Sequence, residues 1–133
     1  MNLPAKHKGE IKGLVLVIDD NEEVLEFMVE ALSENGYECL RSQDGEKGLQ
    51  LLQETDVDLV ITDIYLPQIN GLDLIQKMRE FKPEIKILAI SGDFKQHKHD
   101  SLKWAKSLGA VDSLEKPFSY SELIAKVAKL SSA

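Results

Sequence analysis

Short apolar runs alternate along the chain with segments whose apolar residues recur at helical spacing. The run from Leu14 to Ile18 contains no polar residue, which is typical of a strand buried on both faces. The segment after it carries apolar residues three and four positions apart, as an amphipathic helix does: Val24, Leu25, Met28, Val29 and Leu32. Asp20 with Glu23 resembles a capping box at the start of this helix, and Asn35-Gly36 is a stop signal.

The same alternation continues to the end of the chain. We predict further strands over four segments: Tyr37 to Arg41, Val57 to Asp63, Ile85 to Ile90 and Val111 to Glu115. Four more helices are predicted between and after them: Gly45 to Glu54, Leu72 to the residues before Pro83, Gln96 to Leu108 and Ser119 to Leu130. Strict alternation of this kind gives a parallel sheet covered by helices on both faces. The sequence therefore predicts one α/β domain, a three-layer α/β/α sandwich.

Polar residues stand where the predicted strands end. The first strand ends at Asp19 and Asp20, the third at Asp63, the fourth at Ser91 and the fifth at Lys116. In a parallel sheet these ends share one edge, where ligands bind. Three neighbouring carboxylates repel one another unless a cation joins them, and hard oxygen ligands suit Mg²⁺. A metal, a lysine and a hydroxyl can together stabilise a phosphoryl group, which leaves one carboxylate to act as the nucleophile.

Taken together, these motifs resemble the receiver domain of two-component response regulators. The resemblance rests on their order and spacing: Asp19-Asp20, the run Asp63-Ile64-Tyr65-Leu66-Pro67 with Asn70-Gly71, Ser91-Gly92, and Lys116-Pro117-Phe118. It extends from about Leu14 to Leu130 and implies a flavodoxin-like fold, with five helices around a five-stranded parallel sheet in the order 2-1-3-4-5. On this basis we divide the chain into a polar N-terminal lead, residues 1–12, and a receiver domain, residues 13–131.

The resemblance also implies a role for each site residue. Asp63 would accept a phosphoryl group from a phosphohistidine on a sensor histidine kinase or a histidine phosphotransfer protein. Asp20 would bind Mg²⁺ directly and Asp19 directly or through water, with Asp63 and the backbone carbonyl of Tyr65 completing the protein ligands. The Ser91 hydroxyl would bond a phosphoryl oxygen in the activated state, and Lys116 would pair with the acyl phosphate. A cis peptide bond between Lys116 and Pro117 is implied as well.

Such a protein is a signalling phosphoacceptor that catalyses its own phosphorylation and dephosphorylation, and it is not an enzyme acting on a separate substrate. Phosphorylation would change the surface formed by helix four, strand five and helix five. This surface would then bind a downstream protein, or the phosphoryl group would pass onward. A chain that begins at Met1 with a lead unlike a receiver favours a stand-alone form over a fragment of a longer regulator.

Composition narrows the range of partners and compartments. Sixteen Lys and Arg against 23 Asp and Glu give a formal charge of −7 without a basic run, which argues against direct nucleic-acid binding. No apolar run approaches the roughly 20 residues needed to span a bilayer, so we expect no membrane insertion. The single cysteine, Cys39, forms no zinc motif and is expected to be a small buried hydrophobe in a protein of the reducing cytoplasm.

Three features depart from the family pattern. The position three before Lys116, where the family usually has an aromatic residue, is Ser113. The segment between Ser91 and Lys116 is also a few residues longer than expected, with the extra length near Phe94 to His99. The helix-four region is locally basic and predicts a docking surface for an acidic partner; its charged residues are Lys95, His97, Lys98, Lys103 and Lys106.

Other functions fit the residues less well. A haloacid-dehalogenase-type phosphatase would usually carry an acid two residues after its nucleophile, where this chain has Tyr65, and an acid pair after its lysine, where this chain has no Asp. A pseudo-receiver, which is an interaction module that is not phosphorylated, would usually have lost the nucleophile, the acid pair or the lysine. Dinucleotide binding is unsupported because no GxGxxG follows the first strand. Asp20 could also be only a helix cap, but that interpretation does not explain Asp19, Asp63 and Lys116 at the neighbouring strand ends.

Overall fold

The fold is a parallel sheet between two helical layers. A computed structural model describes residues 11–92 and 98–131, with residues 98–102 described as backbone only. Strands and helices alternate as β1 (Gly13–Ile18), α1 (Glu22–Glu34), β2 (Tyr37–Ser42), α2 (Gly45–Glu54), β3 (Leu59–Asp63), α3 (Gly71–Phe81), β4 (Lys86–Ser91), α4 (Lys98–Leu108), β5 (Asp112–Glu115) and α5 (Tyr120–Ser131). The strands pair in parallel in the order β2-β1-β3-β4-β5. The flavodoxin-like topology is therefore confirmed.

Each face of the sheet carries its own hydrophobic core. Successive residues of β1 point to opposite faces, so Val15 and Val17 pack with α1 and α5, whereas Leu16 and Ile18 pack with α2 and α3. Cys39 packs half-buried beside the first of these cores, and burial raises the pKa of its thiol to about 12. Among the described residues, no helix combines the length and the apolarity that crossing a bilayer requires.

The helix ends follow the predicted stop signals but not the predicted start of α1. Asn21, not Asp20, is the N-cap: its side-chain oxygen accepts a hydrogen bond from the Val24 amide at 3.1 Å. The capping box of Asp20 with Glu23 was wrong because the helix begins one residue later, which leaves Asp20 exposed at the sheet edge. The stop at Asn35-Gly36 is confirmed, since Gly36 has a positive φ of 96°, which is common where helices end. Gly109, with a φ of 131°, follows the end of α4 in the same way.

The strand boundaries differ from the predictions by one or two residues. β3 starts at Leu59, because Val57 still belongs to a turn in which its amide donates to the carbonyl of Thr55. β4 includes Ser91, which pairs with Glu115 of β5. The predicted start of helix four at Gln96 and most of the predicted insertion lie outside the described residues.

One glycine fixes the loop that leaves β3. Gly71 begins α3 after its N-cap Asn70, and a Cβ at this position would collide with the backbone of Ile64. The amide of Gly71 also donates to the Ile64 carbonyl at 3.1 Å. The start of α3 is thus held against the residue that directly follows Asp63.

Candidate functional site

Four of the predicted site residues meet at the carboxyl edge of the sheet. Asp19 follows β1 directly, Asp63 ends β3, Ser91 ends β4 and Lys116 follows β5. Asp19, Asp63 and Ser91 are buried, whereas Asp20 is exposed. The parallel pairing of β1, β3, β4 and β5 brings these strand ends together, as the sequence predicts for the edge of such a sheet.

Lys116 contacts two carboxylates at once. Its Nζ lies 2.8 Å from Asp63 Oδ2, to which it donates a hydrogen bond, and 2.8 Å from Asp19 Oδ2. Burial alone would lower the pKa of Lys116, but the contacts with Asp19 and Asp63 outweigh it, and the pKa is raised above its usual value. Lys116 therefore carries a full positive charge at the centre of the cluster.

Asp19 has one satisfied and one unsatisfied oxygen. Its Oδ1 accepts a hydrogen bond from the Asn21 amide at 2.9 Å. Its Oδ2 is buried and accepts no aligned hydrogen bond, although the charge of Lys116 is close by. Burial raises the pKa of Asp19 above its usual range, against the lowering effects of Lys116 and of the Asn21 amide. An ionised Asp19 thus has an oxygen available for a further cation.

The acidic cluster has the donors and the charge for a metal ion. One oxygen each from Asp19, Asp20 and Asp63 lies within 4.8 Å of the others. Three carboxylates against the single ammonium of Lys116 leave a formal surplus of two negative charges. An all-oxygen donor set with this surplus, together with a buried Asp19 oxygen that has the ammonium of Lys116 as its charged neighbour but accepts no aligned hydrogen bond, fits Mg²⁺. These residues could therefore hold a divalent cation.

The other oxygen of Asp63 is fixed by the loop after β3. Asp63 Oδ1 accepts a hydrogen bond from the Tyr65 amide at 2.9 Å, so both carboxylate oxygens of Asp63 are oriented. Tyr65 begins the loop that ends at Asn70, with which it forms an isolated bridge. The assignment of the Tyr65 carbonyl as a metal ligand stays a prediction.

Ser91 is buried at the site, but its hydroxyl is directed into its own loop. Ser91 Oγ donates a hydrogen bond to the carbonyl of Gly92 at 3.0 Å. Bonding to a phosphoryl oxygen would require this hydroxyl to leave that carbonyl. The predicted role of Ser91 in an activated state remains a prediction.

The aromatic residues near Lys116 pack towards α1. The Lys116-Pro117 bond is cis, which confirms the expectation. The Phe118 ring lies 6.1 Å from the Phe27 ring, and the Tyr120 hydroxyl donates to Glu34 at 2.8 Å. Ser113 is half-buried on β5, at the position where the family usually has an aromatic residue. The contacts described for Phe118 and Tyr120 do not place either ring at that position.

An apolar cavity of about 410 Å³ opens beside Lys116, between α1 and the loop after β5. It is lined by Glu23, Val24, Phe27, Gly92, Lys116, Pro117 and Phe118. Phe27, which is 37% exposed and lines this cavity, was not among the residues predicted for the site. One feature of the sequence could have pointed to Phe27: it is an aromatic residue on α1 that lies outside the buried stripe formed by Leu25, Met28 and Leu32.

Comparison with known proteins agrees with this geometry. The family model of the response regulator receiver domain matches residues 15–128. The response regulator SaeR of Staphylococcus aureus is 29% identical over 116 residues, which cover 87% of this chain and 49% of SaeR. The chain thus spans about half the length of the curated relatives it matches.

Solved structures give the same result. The receiver domain of NtrX from Brucella abortus is 27% identical, with a TM-score of 0.83 over 90% of this chain and 98% of that one. A response regulator receiver domain protein from Clostridium thermocellum is 26% identical, with a TM-score of 0.81 over 90% of this chain and 94% of that one. This chain belongs to the response regulator receiver domain family of two-component signalling.

Proposed function

We propose that this receiver domain is a phosphoacceptor in which Asp63 takes a phosphoryl group from a phosphohistidine. The observation that carries the proposal is the position of Asp63 at the end of β3, with Oδ2 bonded to Lys116 and Oδ1 to the Tyr65 amide. A buried carboxylate with both oxygens oriented is prepared for in-line attack. Its own charge is balanced by a lysine that can also reach incoming phosphoryl oxygens.

In this reaction a carboxylate oxygen of Asp63 forms a bond to phosphorus. The phosphorus–nitrogen bond of the phosphohistidine breaks, and its electron pair stays with the imidazole. The ammonium of Lys116 can form an ion pair with the new acyl phosphate, because it already lies 2.8 Å from Asp63. The hydroxyl of Ser91 can then bond a phosphoryl oxygen in place of the Gly92 carbonyl.

The acidic cluster would hold Mg²⁺ through Asp19, Asp20, Asp63 and the Tyr65 carbonyl. When bound, the ion supplies positive charge that offsets the charge of the phosphoryl oxygens. In this scheme Asp19 and Asp20 bind the ion and hold it in position, and the Asn21 amide keeps Asp19 in place through its hydrogen bond. Hydrolysis of the acyl phosphate, which resets the domain, uses the same residues.

The phosphohistidine belongs to a sensor histidine kinase or a histidine phosphotransfer protein. The apolar cavity gives such a partner a place to dock, since it is bordered by α1 and by Lys116, whose ammonium contacts Asp63. The output is a change in the surface of α4, β5 and α5, which binds a downstream protein, or onward transfer of the phosphoryl group. With Ser113 in place of an aromatic residue, the change begins where the Ser91 hydroxyl leaves the Gly92 carbonyl for a phosphoryl oxygen.

Intact mass measured after incubation with Mg²⁺ and a small acyl-phosphate donor tests this proposal. We expect one phosphoryl adduct that hydroxylamine removes and that forms neither with chelator nor in Asp63→Asn. Asp73→Asn, an exposed carboxylate on α3, is the matched control and should be modified like the unaltered chain.

Two results would contradict the proposal. An adduct that persists in Asp63→Asn would move the acceptor elsewhere. The complete absence of an adduct, while circular dichroism shows folded protein and varied donors are supplied with Mg²⁺, would favour an interaction module that is not phosphorylated.

A further inference from the structure

The loop that carries Lys116 is fastened at both ends. At one end the Lys116 amide donates a hydrogen bond to the Ser91 carbonyl at 2.8 Å, which continues the pairing of β5 with β4. At the other end Ser119 and Glu122 form a capping box in front of α5. The Glu122 amide donates to Ser119 Oγ at 3.1 Å, and the Ser119 amide donates to Glu122 Oε1 at 2.8 Å. Two residues lie between these anchors, and Phe118 is the second of them.

The ring of Phe118 contacts α1 between these two anchors. Its centroid lies 6.1 Å from that of Phe27, with the ring planes tilted by 45°. At this distance aromatic rings attract each other beyond the burial of their surface. Phe27 itself is exposed, whereas Leu25 and Met28 of the same helix are buried in the core beside it. The ring contact therefore adds little to the core, and what it fixes is the position of the loop after β5.

The same helix holds one of the carboxylates that Lys116 contacts. Asn21 caps α1, and its amide donates to Asp19 Oδ1 at 2.9 Å. Phe27 lies in the second turn of this helix. Because hydrogen bonds within a helix fix the spacing of its residues, α1 holds Asp19 at its start and the loop of Lys116 one turn later. The two partners of the 2.8 Å contact between Lys116 Nζ and Asp19 Oδ2 are thus positioned from one helix.

From these contacts we infer that Phe27 is a positioning residue for Lys116. Its ring, acting through Phe118, holds the loop after β5 so that the ammonium of Lys116 stays beside Asp19 and Asp63. An ammonium held there in advance can stabilise the phosphoryl oxygens without first being reoriented. The inference rests on the proposed function for the reaction that Lys116 serves. It adds a residue of α1 to a site that is otherwise built from strand ends.

Two other roles for Phe27 predict different results. A residue that only packs would change stability and leave the reaction of each folded molecule unaltered. A residue that only contacts a docked phosphohistidine protein would have no effect with a small acyl-phosphate donor, which presents no protein surface. Positioning of Lys116 does change the reaction with the small donor, because misplacing a reacting group by about 1 Å can slow a reaction by about a hundredfold.

The rate of adduct formation with Mg²⁺ and the small acyl-phosphate donor, measured by intact mass on the full chain, tests the inference. Phe27→Leu keeps an apolar side chain but removes the ring, and we expect the rate to fall by about tenfold. Phe27→Tyr keeps the ring and should react like the unaltered chain. Phe81→Leu, which changes an exposed phenylalanine on α3, is the matched control and should also leave the rate unchanged.

A second measurement follows Lys116 itself. The NMR signal of its side-chain Cε, assigned by its absence from Lys116→Met, reports on the two carboxylates beside the ammonium. We expect this signal to move towards those of exposed lysines in Phe27→Leu and to stay in place in Phe27→Tyr and Phe81→Leu. Phe118→Leu should act like Phe27→Leu. The double variant should lose no more than either single variant, because the two rings act as one unit.

An unaltered rate or an unaltered Lys116 signal in Phe27→Leu would overturn the inference, and so would an equal loss in Phe27→Tyr. Losses that add in the double variant would show that Phe27 does not act through Phe118. Urea unfolding gives the folded fraction to which each rate is normalised, and the Phe27 variants decide alone if Phe118→Leu does not fold. If the unaltered chain formed no adduct, the proposed function would fail, while the Lys116 signal would still decide whether Phe27 positions the lysine.

Discussion

The two ends of β5 carry the same residue types in opposite proportions. Asp112 is the first residue of the strand, and Lys116 directly follows its last residue. At the phosphoacceptor end, three carboxylates surround the single ammonium of Lys116. At the other end, two ammonium groups surround the single carboxylate of Asp112. One end has excess negative charge and fits a cation, whereas the other has excess positive charge and fits an anion.

Burial determines what each imbalance does. The side chains of Asp19 and Asp63 are 0% and 5% exposed, so water screens little of their repulsion. The lysines around Asp112 are 33% and 53% exposed, and solvent weakens their interaction with it. Burial raises the pKa of Asp19, whereas the bonds from Lys126 and the Ser113 amide outweigh burial and lower the pKa of Asp112. A buried surplus of charge lowers stability until a ligand of opposite charge binds. An exposed surplus of charge lowers stability little and leaves a charged surface that can bind a ligand.

The largest expected effect comes from removing Lys116, the one cation that the described residues place at the buried cluster. Lys116→Met leaves Asp19 and Asp63 without a positive partner, and we expect the free energy of unfolding in chelator to fall by about 3 kcal/mol. Mg²⁺ should restore more stability to this variant than to the unaltered chain, because the ion then replaces a missing charge. Urea unfolding with and without Mg²⁺ measures both effects.

Lys82→Met is the matched control. The Lys82 side chain is 22% exposed, close to the 20% of Lys116, but its ion-pair partner Asp56 is 97% exposed. This variant should lose about 1 kcal/mol or less and show no response to Mg²⁺ beyond that of the unaltered chain. Equal losses in the two variants would mean that the burial of the carboxylates does not distinguish the clusters.

The second prediction concerns the buried carboxylate itself. Asp19→Asn keeps an acceptor for the Asn21 amide but removes a buried charge, and we expect it to raise metal-free stability at neutral pH by about 1–2 kcal/mol. The pKa of Asp19 is raised on folding, so its contribution is fully present below the unfolded value near pH 3.9 and is lost as the pH rises through the folded value. The advantage of Asp19→Asn should therefore grow from about pH 4 upwards.

Urea unfolding in chelator across this pH range measures that advantage. Asp20→Asn is the control, because Asp20 belongs to the same cluster but is exposed. It should change the metal-free stability little while still weakening the stabilisation by Mg²⁺. A loss of stability in Asp19→Asn at neutral pH would show that the Asp19–Lys116 contact outweighs the cost of burial.

The fold could be predicted from the sequence because two features indicated the same topology: the periodicity of the apolar residues and the polar residues at the ends of the predicted strands. The uniformly apolar run from Leu14 to Ile18 is typical of a strand covered on both faces, and regular alternation then leaves few topologies. Boundaries were less accurate, since they depend on single hydrogen bonds. Asn21 in place of Asp20 as the cap of α1 and the turn at Val57 are differences of this kind.

For the site, the sequence predicted which residues meet but not how they pair. Asp19, Asp63 and Lys116 follow from their places at strand ends, whereas the sharing of one ammonium between two carboxylates depends on side-chain geometry. The apolar cavity beside Phe27 and the convergence of Lys106 and Lys126 on Asp112 join residues far apart in the chain. Neither leaves a local motif, although the basic character of α4 did indicate one of the two lysines near Asp112.

The smallest expected effect concerns Asp112 and has the opposite sign to that of Asp19. Because the pKa of Asp112 is lowered on folding, its contribution to stability is present above the unfolded value and is lost as the pH falls through the folded value. Asp112→Asn should therefore lower stability at neutral pH by less than about 1 kcal/mol, because the surrounding lysines are solvated. The difference from the unaltered chain should shrink below about pH 4 and at high salt.

Thermal unfolding at two salt concentrations, each followed from neutral to acidic pH, resolves this difference. Asp56→Asn is the control, because it removes an ion pair whose carboxylate is almost fully exposed. It shows how little stability is lost when the carboxylate of an ion pair is not partly buried. If Asp112→Asn instead stabilised the chain as the pH rose, as expected for Asp19→Asn, the excess lysines would not be stabilising Asp112. The two ends of β5 would then be destabilised by their carboxylates alike.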